Sequence, residues 1–189
     1  MKTLIFNGSS KLNGDTEALL YKFIAHLHGD VKIISCYNDI KPCNDCRDCW
    51  SKAGCSINDE MQEIYAYIED CDNIVIASPI WFSSLSGLVL NLASRIQTIY
   101  ASNYFRKAPI SLKRKNGVII IVGAEPGTEV IPTQTALTIM KLMNVNRSSV
   151  EKIYSLDTNN TPAEKDTVAL SRCQEVAELL NSLSEKKIE

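Results

Sequence analysis

The sequence predicts a three-layer α/β fold, with a five-stranded parallel sheet covered by helices on both faces. Two observations predict it. Short runs rich in Val and Ile lack the in/out alternation of a half-exposed strand, as expected of strands buried on both sides. Segments of helical character separate these runs, and strand followed by helix recurs five times.

The first strand is TLIFNG (residues 3–8), followed by a helix over 16–28. VKIIS (31–35) is the second strand, and Asp59 is placed to cap a helix over 59–69. NIVIAS (73–78) precedes a helix over 86–100, and GVIIIVG (117–123) precedes one over 132–144. VEKIYSL (150–156) is the fifth and weakest strand. The last helix covers 162–183, with Thr161 at its N-cap and Pro162 at its first position, and the tail SEKKIE is expected to fray. There is no internal repeat, low-complexity stretch or linker, so residues 1–189 are expected to form one domain.

Composition excludes several classes. Hydrophobic residues make up 45% and charged residues 22%, the balance of an ordinary globular protein. A net charge of −2 gives no global reason to expect nucleic acid or a membrane surface as partner. Met1-Lys2 runs straight into TLIFNG, which has neither the apolar length nor the cleavage site of a signal peptide. No apolar run reaches the roughly 20 residues that span a bilayer. The expected location is the cytoplasm. Seven cysteines in a reducing compartment point to metal or redox chemistry before disulfides.

Ligands of such sheets bind at the carboxyl ends of the strands, which directs attention to residues 8–15, 36–58, 79–85, 123–131 and 157–161. NGSSKLNGDTEALL leaves a strand and opens a helix. Free N–H groups at the helix start, with the hydroxyls of Ser9, Ser10 and Thr16, suit a phosphate; the plainer alternative is a polar turn capped by Thr16. The loop is neither a Walker loop nor the G-x-G-x-x-G fingerprint. In SPIWFSSLSG, Pro79 stiffens the turn, and Trp81 and Phe82 suit stacking on a flat ring or covering the core edge. In VGAEPGTE the glycines let backbone approach a ligand, or simply form a turn. Together the loops describe one ligand shape, a phosphate at one end and a flat conjugated ring at the other.

Three motifs in order now carry a resemblance. GSSKLNGDT resembles the G-S-P-R-x-x-G-N-T loop, PCNDCRDCWSKAGCSINDEM the P-C-x-x-C-x-x-C loop with a later Cys, and SPIWF the S-P-[IV]-Y-[WF] loop, of the flavodoxin-like NAD(P)H-dependent FMN reductases and their iron–sulfur flavoprotein branch. The resemblance covers about residues 2–145 and implies strand order 2-1-3-4-5, with FMN where the order reverses. It implies that Ser9, Lys11, Asn13 and Thr16 hold the FMN phosphate, that Pro79, Ile80, Trp81 and Phe82 line the isoalloxazine, and that Gly123, Ala124 and Glu125 approach it. NAD(P)H is the implied hydride donor and a small molecule the electron acceptor. No side chain need act as acid or base, because the cofactor carries the chemistry. The alternative is an iron–sulfur electron carrier served by a ferredoxin-like partner. Relatives of this type are homodimers or homotetramers, and residues 100–116, with three aromatics, are the expected contact. Asp15 departs from the pattern, and its carboxylate must point away from the phosphate. Lys11 in place of Arg keeps charge and loses bidentate geometry.

Cys43, Cys46, Cys49 and Cys55 follow C-x2-C-x2-C-x5-C. Zinc sites are usually built from two separated knuckles. The compact spacing resembles [4Fe–4S] ligation, with Cys55 as the fourth thiolate; zinc and free thiols are the alternatives, and Asp45 and Asp48 disfavour an anionic cluster. His26 and His28 fall within the first helix as surface or boundary residues. Arg106, Lys107 and residues 113–115 read as a solvated basic loop, and Cys36, Cys71 and Cys173 as small hydrophobes.

Overall fold

A computed structural model describes residues 1–35 and 37–185; Cys36 and residues 186–189 lie outside the described residues, and with them the expectations for Cys36 and for the end of the tail. Five strands, β1 (Lys2–Asn7), β2 (Asp30–Ile34), β3 (Asn73–Trp81), β5 (Lys115–Val122) and β6 (Val145–Ser155), form a parallel sheet in the order β2-β1-β3-β5-β6. The two-residue β4 (Ser84–Leu85) folds back on the end of β3 as an antiparallel hairpin. Counted without β4, the order is the expected 2-1-3-4-5.

Strand residues alternate between two cores, as period-2 geometry requires. Leu4, Phe6, Ile74, Ile76, Ile119 and Ile121 face α3 (Met61–Asp70), α4 (Gly87–Ser94), α5 (Gln97–Tyr104) and α6 (Val130–Leu142). Ile5, Val75, Ala77, Val118, Ile120 and Ile153 face α1 (Asp15–Ala25) and α7 (Thr167–Glu185). Burial on both faces accounts for the unbroken apolar runs. The register pairs Asn7 with Ala77 and Pro79 with Val122, so the loops after β1, β3 and β5 leave the sheet side by side.

Several expectations need correction. The helix over 86–100 is two helices, α4 and α5. Between them the backbone tightens to i→i−3 bonds, Arg95 N–H to Leu92 O (3.2 Å) and Ile96 N–H to Ala93 O (3.0 Å). The fifth strand starts at Val145 rather than 150, and a register shift between Lys115 and Gly117 interrupts its pairing with β5. Pro162 leads into a 3-10 turn (Ala163–Lys165), and the last helix is capped by Asp166, whose Oδ1 accepts from Ala169 N–H at 3.0 Å. Asp59 does serve the start of α3, accepting from Met61 N–H at 3.1 Å. The first helix ends at Ala25, so His26 caps it and His28 lies beyond. Lys115 is not in a solvated loop: it opens β5, is 1% exposed, and donates from Nζ to Lys113 O at 2.5 Å.

Candidate functional site

The first loop is shaped by two side chains that sequence reading passed over. Asn7 Oδ1 accepts from Ser9 N–H (3.0 Å), while Asn7 Nδ2 donates to Glu17 Oε1 (3.2 Å). Glu17 Oε2 accepts from Asn13 N–H at 2.7 Å, and Asn13 adopts a left-handed φ of 55°. A buried carboxylate in the first turn of α1 thus fixes the loop from below. Glu17 lies four residues after Asn13, which was the only available signal. Ser9 is buried and turns its Oγ–H to Lys11 O (2.9 Å). Gly8 is needed for close approach: a Cβ there would stand 2.3 Å from Val89 Cγ2 and 2.6 Å from Ser86 Oγ, which itself donates to Gly8 O.

Helix α1 opens at Gly14 with no side-chain cap, so its first N–H groups remain available to a ligand. Asp15 Oδ1 accepts from Ala163 N–H at 2.8 Å, which turns the carboxylate toward the C-terminal segment. Thr16 is 3% exposed at the floor of the loop.

One open cleft of about 270 Å3 gathers Ser9, Ser10, Lys11 and Thr16 with Pro79, Ile80 and Trp81 and with Gly123 and Ala124. Thr158, from the loop after β6, closes it by donating from both N–H and Oγ1–H to Gly123 O (3.1 Å each). Gly123 lets Ile80 lie against it, since a Cβ would come within 2.8 Å of Ile80 Cδ1. Asn13 lies in a neighbouring cavity with Lys11, Asp15 and Glu164. Phe82 and Glu125 do not line the cleft: Phe82 is 102% exposed at the hairpin tip, with φ of 51°, and Glu125 is also exposed. Trp81 is 43% exposed at the cleft. An uncapped helix start at one end and an indole at the other fit a phosphate and a flat ring.

The cysteine loop forms a second cleft of about 130 Å3, lined by Cys43, Cys46, Cys49 and Cys55 together with Trp50, Arg95, Thr98, Tyr100 and Phe105. The short helix α2 (Asp48–Ser51) carries Trp50, which stacks on Phe105 at 3.9 Å and 11°. The aromatics of residues 100–116 therefore pack in part on the chain's own cysteine loop. Burial pushes the Cys49 thiol up, as do Cys55, Cys43 and Cys46, against a smaller opposing effect of Arg106. Arg47 pairs with Asp45 at 3.2 Å and offsets its charge. Among the described residues no three or more His, Cys, Asp or Glu are drawn together closely enough to hold a metal ion. The donor set fits a sulfur-ligated group in type and number.

The loop is pinned at both feet. Arg95 and Asp59, with side chains 0% and 1% exposed, pair at 2.5 Å. Arg95 Nη1 donates to Lys41 O (2.8 Å) and Nη2 to Ile57 O (3.3 Å), while Asp59 Oδ2 accepts from Lys41 N–H (3.0 Å). Burial pushes the Asp59 carboxyl up, but Arg95 and the N–H groups of Lys41 and Met61 more than offset it, leaving it below its ordinary value. Ser94 Oγ accepts from Cys43 N–H at 2.9 Å.

Residues 1–152 match the family model of the NADPH-dependent FMN reductases. An iron-sulfur flavoprotein of Methanosarcina thermophila is 27% identical over 146 residues, 75% of this chain and 71% of that protein. One of Archaeoglobus fulgidus is 32% identical over 109 residues, 55% of this chain and 53% of its own. The match thus spans only about half the length of some relatives. Among solved structures, the NAD(P)H:quinone oxidoreductase from Methanothermobacter marburgensis superposes with a TM-score of 0.72 at 14% identity, covering 96% of this chain and 97% of that one, a likeness of fold. No helix of the described residues is long and apolar enough to cross a membrane. With a family match over most of its length on a sheet whose strand-end loops meet in one cleft, the chain belongs to the NADPH-dependent FMN reductase family, a family of FMN-dependent oxidoreductases.

Proposed function

We propose that residues 1–189 act as one FMN-binding domain that takes reducing equivalents from NAD(P)H and passes them to a small-molecule acceptor in the cytoplasm. The observation that carries this reading is the single cleft joining the loops after β1, β3 and β5. FMN bound there supplies hydride acceptance and electron delivery. The chain's own residues bind and orient. The N–H groups at the start of α1 and the Lys11 ammonium attract the phosphate, with Ser10 and Thr16 beside it. Asn7 and Glu17 hold that loop in shape before the ligand arrives. Trp81 offers its face to the ring, and Gly123 keeps the opposite wall low. Phe82 and Glu125, which stand outside the cleft, take part only where a second copy completes the site, consistent with a homodimer or homotetramer.

Two measurements test this. Anaerobic NADPH addition to the FMN-loaded protein is expected to bleach the flavin within the turnover time; an oxidised spectrum that persists would remove the reductase reading. Trp81→Ala is expected to weaken FMN binding roughly tenfold, from lost stacking of about 1 kcal/mol and lost burial. An unchanged dissociation constant would make Trp81 a cover for the core edge.

A second reading is supported by the four cysteines that share one cleft and by the relatives described as iron-sulfur flavoproteins. In it, Cys43, Cys46, Cys49 and Cys55 ligate a [4Fe–4S] cluster, and a ferredoxin-like protein exchanges electrons with it. Protein made with iron supplied and oxygen excluded should be brown and hold about four irons per chain. A yellow, iron-free preparation would leave the flavin reductase alone standing.

A further inference from the structure

We propose that Arg95 and Thr98 are the core's hydrogen-bond donors to the sulfur atoms held in the cysteine cleft, Arg95 through Nε–H and Thr98 through Oγ1–H. This rests on the cluster reading and extends it from the ligands to the residues behind them.

Two buried side-chain polar atoms lack a hydrogen-bond partner among the described residues, Arg95 Nε and Thr98 Oγ1. Arg95 is 1% exposed and Thr98 3% exposed, so water does not stand in freely for a partner. Buried donors without partners are rare in native proteins, because each forfeits its hydration without compensation. These two occur three residues apart, Arg95 at the C-cap of α4 and Thr98 in the first turn of α5. Both residues line the cleft that all four cysteines line. Both other nitrogens of Arg95 are engaged at the feet of the loop, Nη1 with Asp59 and Lys41 O and Nη2 with Ile57 O. Nε is thus the part of the guanidinium left over for the cleft.

The chemistry of the lining names the class of acceptor. The cleft walls otherwise supply thiols, aromatic faces, Ile57, Gln97 and the loop side chains of Asn44, Asp45, Arg47 and Ser56. A sulfur anion, whether cysteinyl thiolate or bridging sulfide, accepts N–H and O–H hydrogen bonds, and such bonds stabilise its negative charge. Donors aimed at the sulfurs of a cluster raise its reduction potential, because the reduced state carries one more negative charge. Arg95 and Thr98 are therefore positioning and tuning residues.

The test uses the full chain, loaded anaerobically with iron and sulfide, and reads the cluster potential by EPR-monitored titration. Thr98→Val keeps the branched shape and removes the hydroxyl. It is expected to bind as much iron as the wild type, with its potential moved negative by about a tenfold change in the one-electron equilibrium, ~59 mV. Thr98→Ser should stay at the wild-type value. Arg95→Lys, which keeps a cation beside Asp59 and removes Nε–H, should move it in the same direction as Thr98→Val. The metal-free Thr98→Val protein should melt no lower than the wild type, since it loses a hydroxyl with no partner. A Thr98→Val potential equal to that of the wild type overturns the proposal while the cluster reading stands. A wild type that takes up no iron overturns both. If Thr98→Val fails to load while Thr98→Ser loads, the donor is needed for assembly and the proposal holds; failure of both assigns Thr98 to packing and overturns it.

Discussion

Thr16→Glu is expected to leave the chain folded and unable to retain FMN. Thr16 lies in the first turn of α1, where a negative side chain is tolerated and even favoured by the helix dipole. It also lines the cleft, so the longer side chain has somewhere to go. There its carboxylate meets the phosphate. Two unit charges 4 Å apart repel by about 4 kcal/mol at an effective dielectric near 20, roughly a thousandfold in affinity. Titration of the apoprotein with FMN, followed by flavin fluorescence, measures it, with circular dichroism confirming the fold. Wild-type affinity in this variant would place the phosphate elsewhere.

Arg95→Ala should cost more in stability than any exposed substitution, about 3–5 kcal/mol, because it strands the Asp59 carboxylate in the core. The pH dependence gives the cause. In the wild type the Asp59 carboxyl is held below its ordinary value, so its contribution is present above the unfolded pKa and fades as pH falls through the folded one. Without Arg95, burial dominates and pushes the Asp59 carboxyl up instead. The variant then regains stability as Asp59 takes a proton, and its deficit should narrow between pH 7 and pH 5. Urea unfolding at both values tests this. A deficit below about 1 kcal/mol at pH 7 would mean that the pair is no stronger than a surface bridge.

The strands and their order were legible because the same residues that fill two cores also write an unbroken apolar run. The interruption of the 86–100 helix was not, since Leu92, Arg95, Ile96 and Ile99 keep a helical period across the tightened turn and only the partner of Arg95, more than thirty residues away, shows why the chain bends there. Lys115 reads as one member of a basic run, and nothing local tells that its side chain is buried at the start of β5. The candidate site divides in the same way. Ser9, Thr16 and Trp81 follow from loop chemistry and position. Asn7 acts through Glu17, whose one local signal is its spacing from Asn13, and Thr158 reaches Gly123 from the end of a neighbouring strand, with no signal in its own surroundings. Phe82 was grouped with Trp81 as an aromatic neighbour, but successive residues of an extended chain point to opposite sides, and the left-handed turn carries it outward.

Helix α4 has a role beyond covering the sheet. At its start, Ser86 bonds Gly8 O, the backbone of the phosphate loop; at its end, Ser94 and Arg95 grip Cys43 and the feet of the cysteine loop. Eight residues at 1.5 Å each make a strut of ~12 Å between the two attachment points. Val89 and Leu92 lock that strut into the core. Thermal motion that displaces one loop therefore carries the other with it, and the spacing of their attachment points is set by the length of a helix rather than by the wandering of a loop.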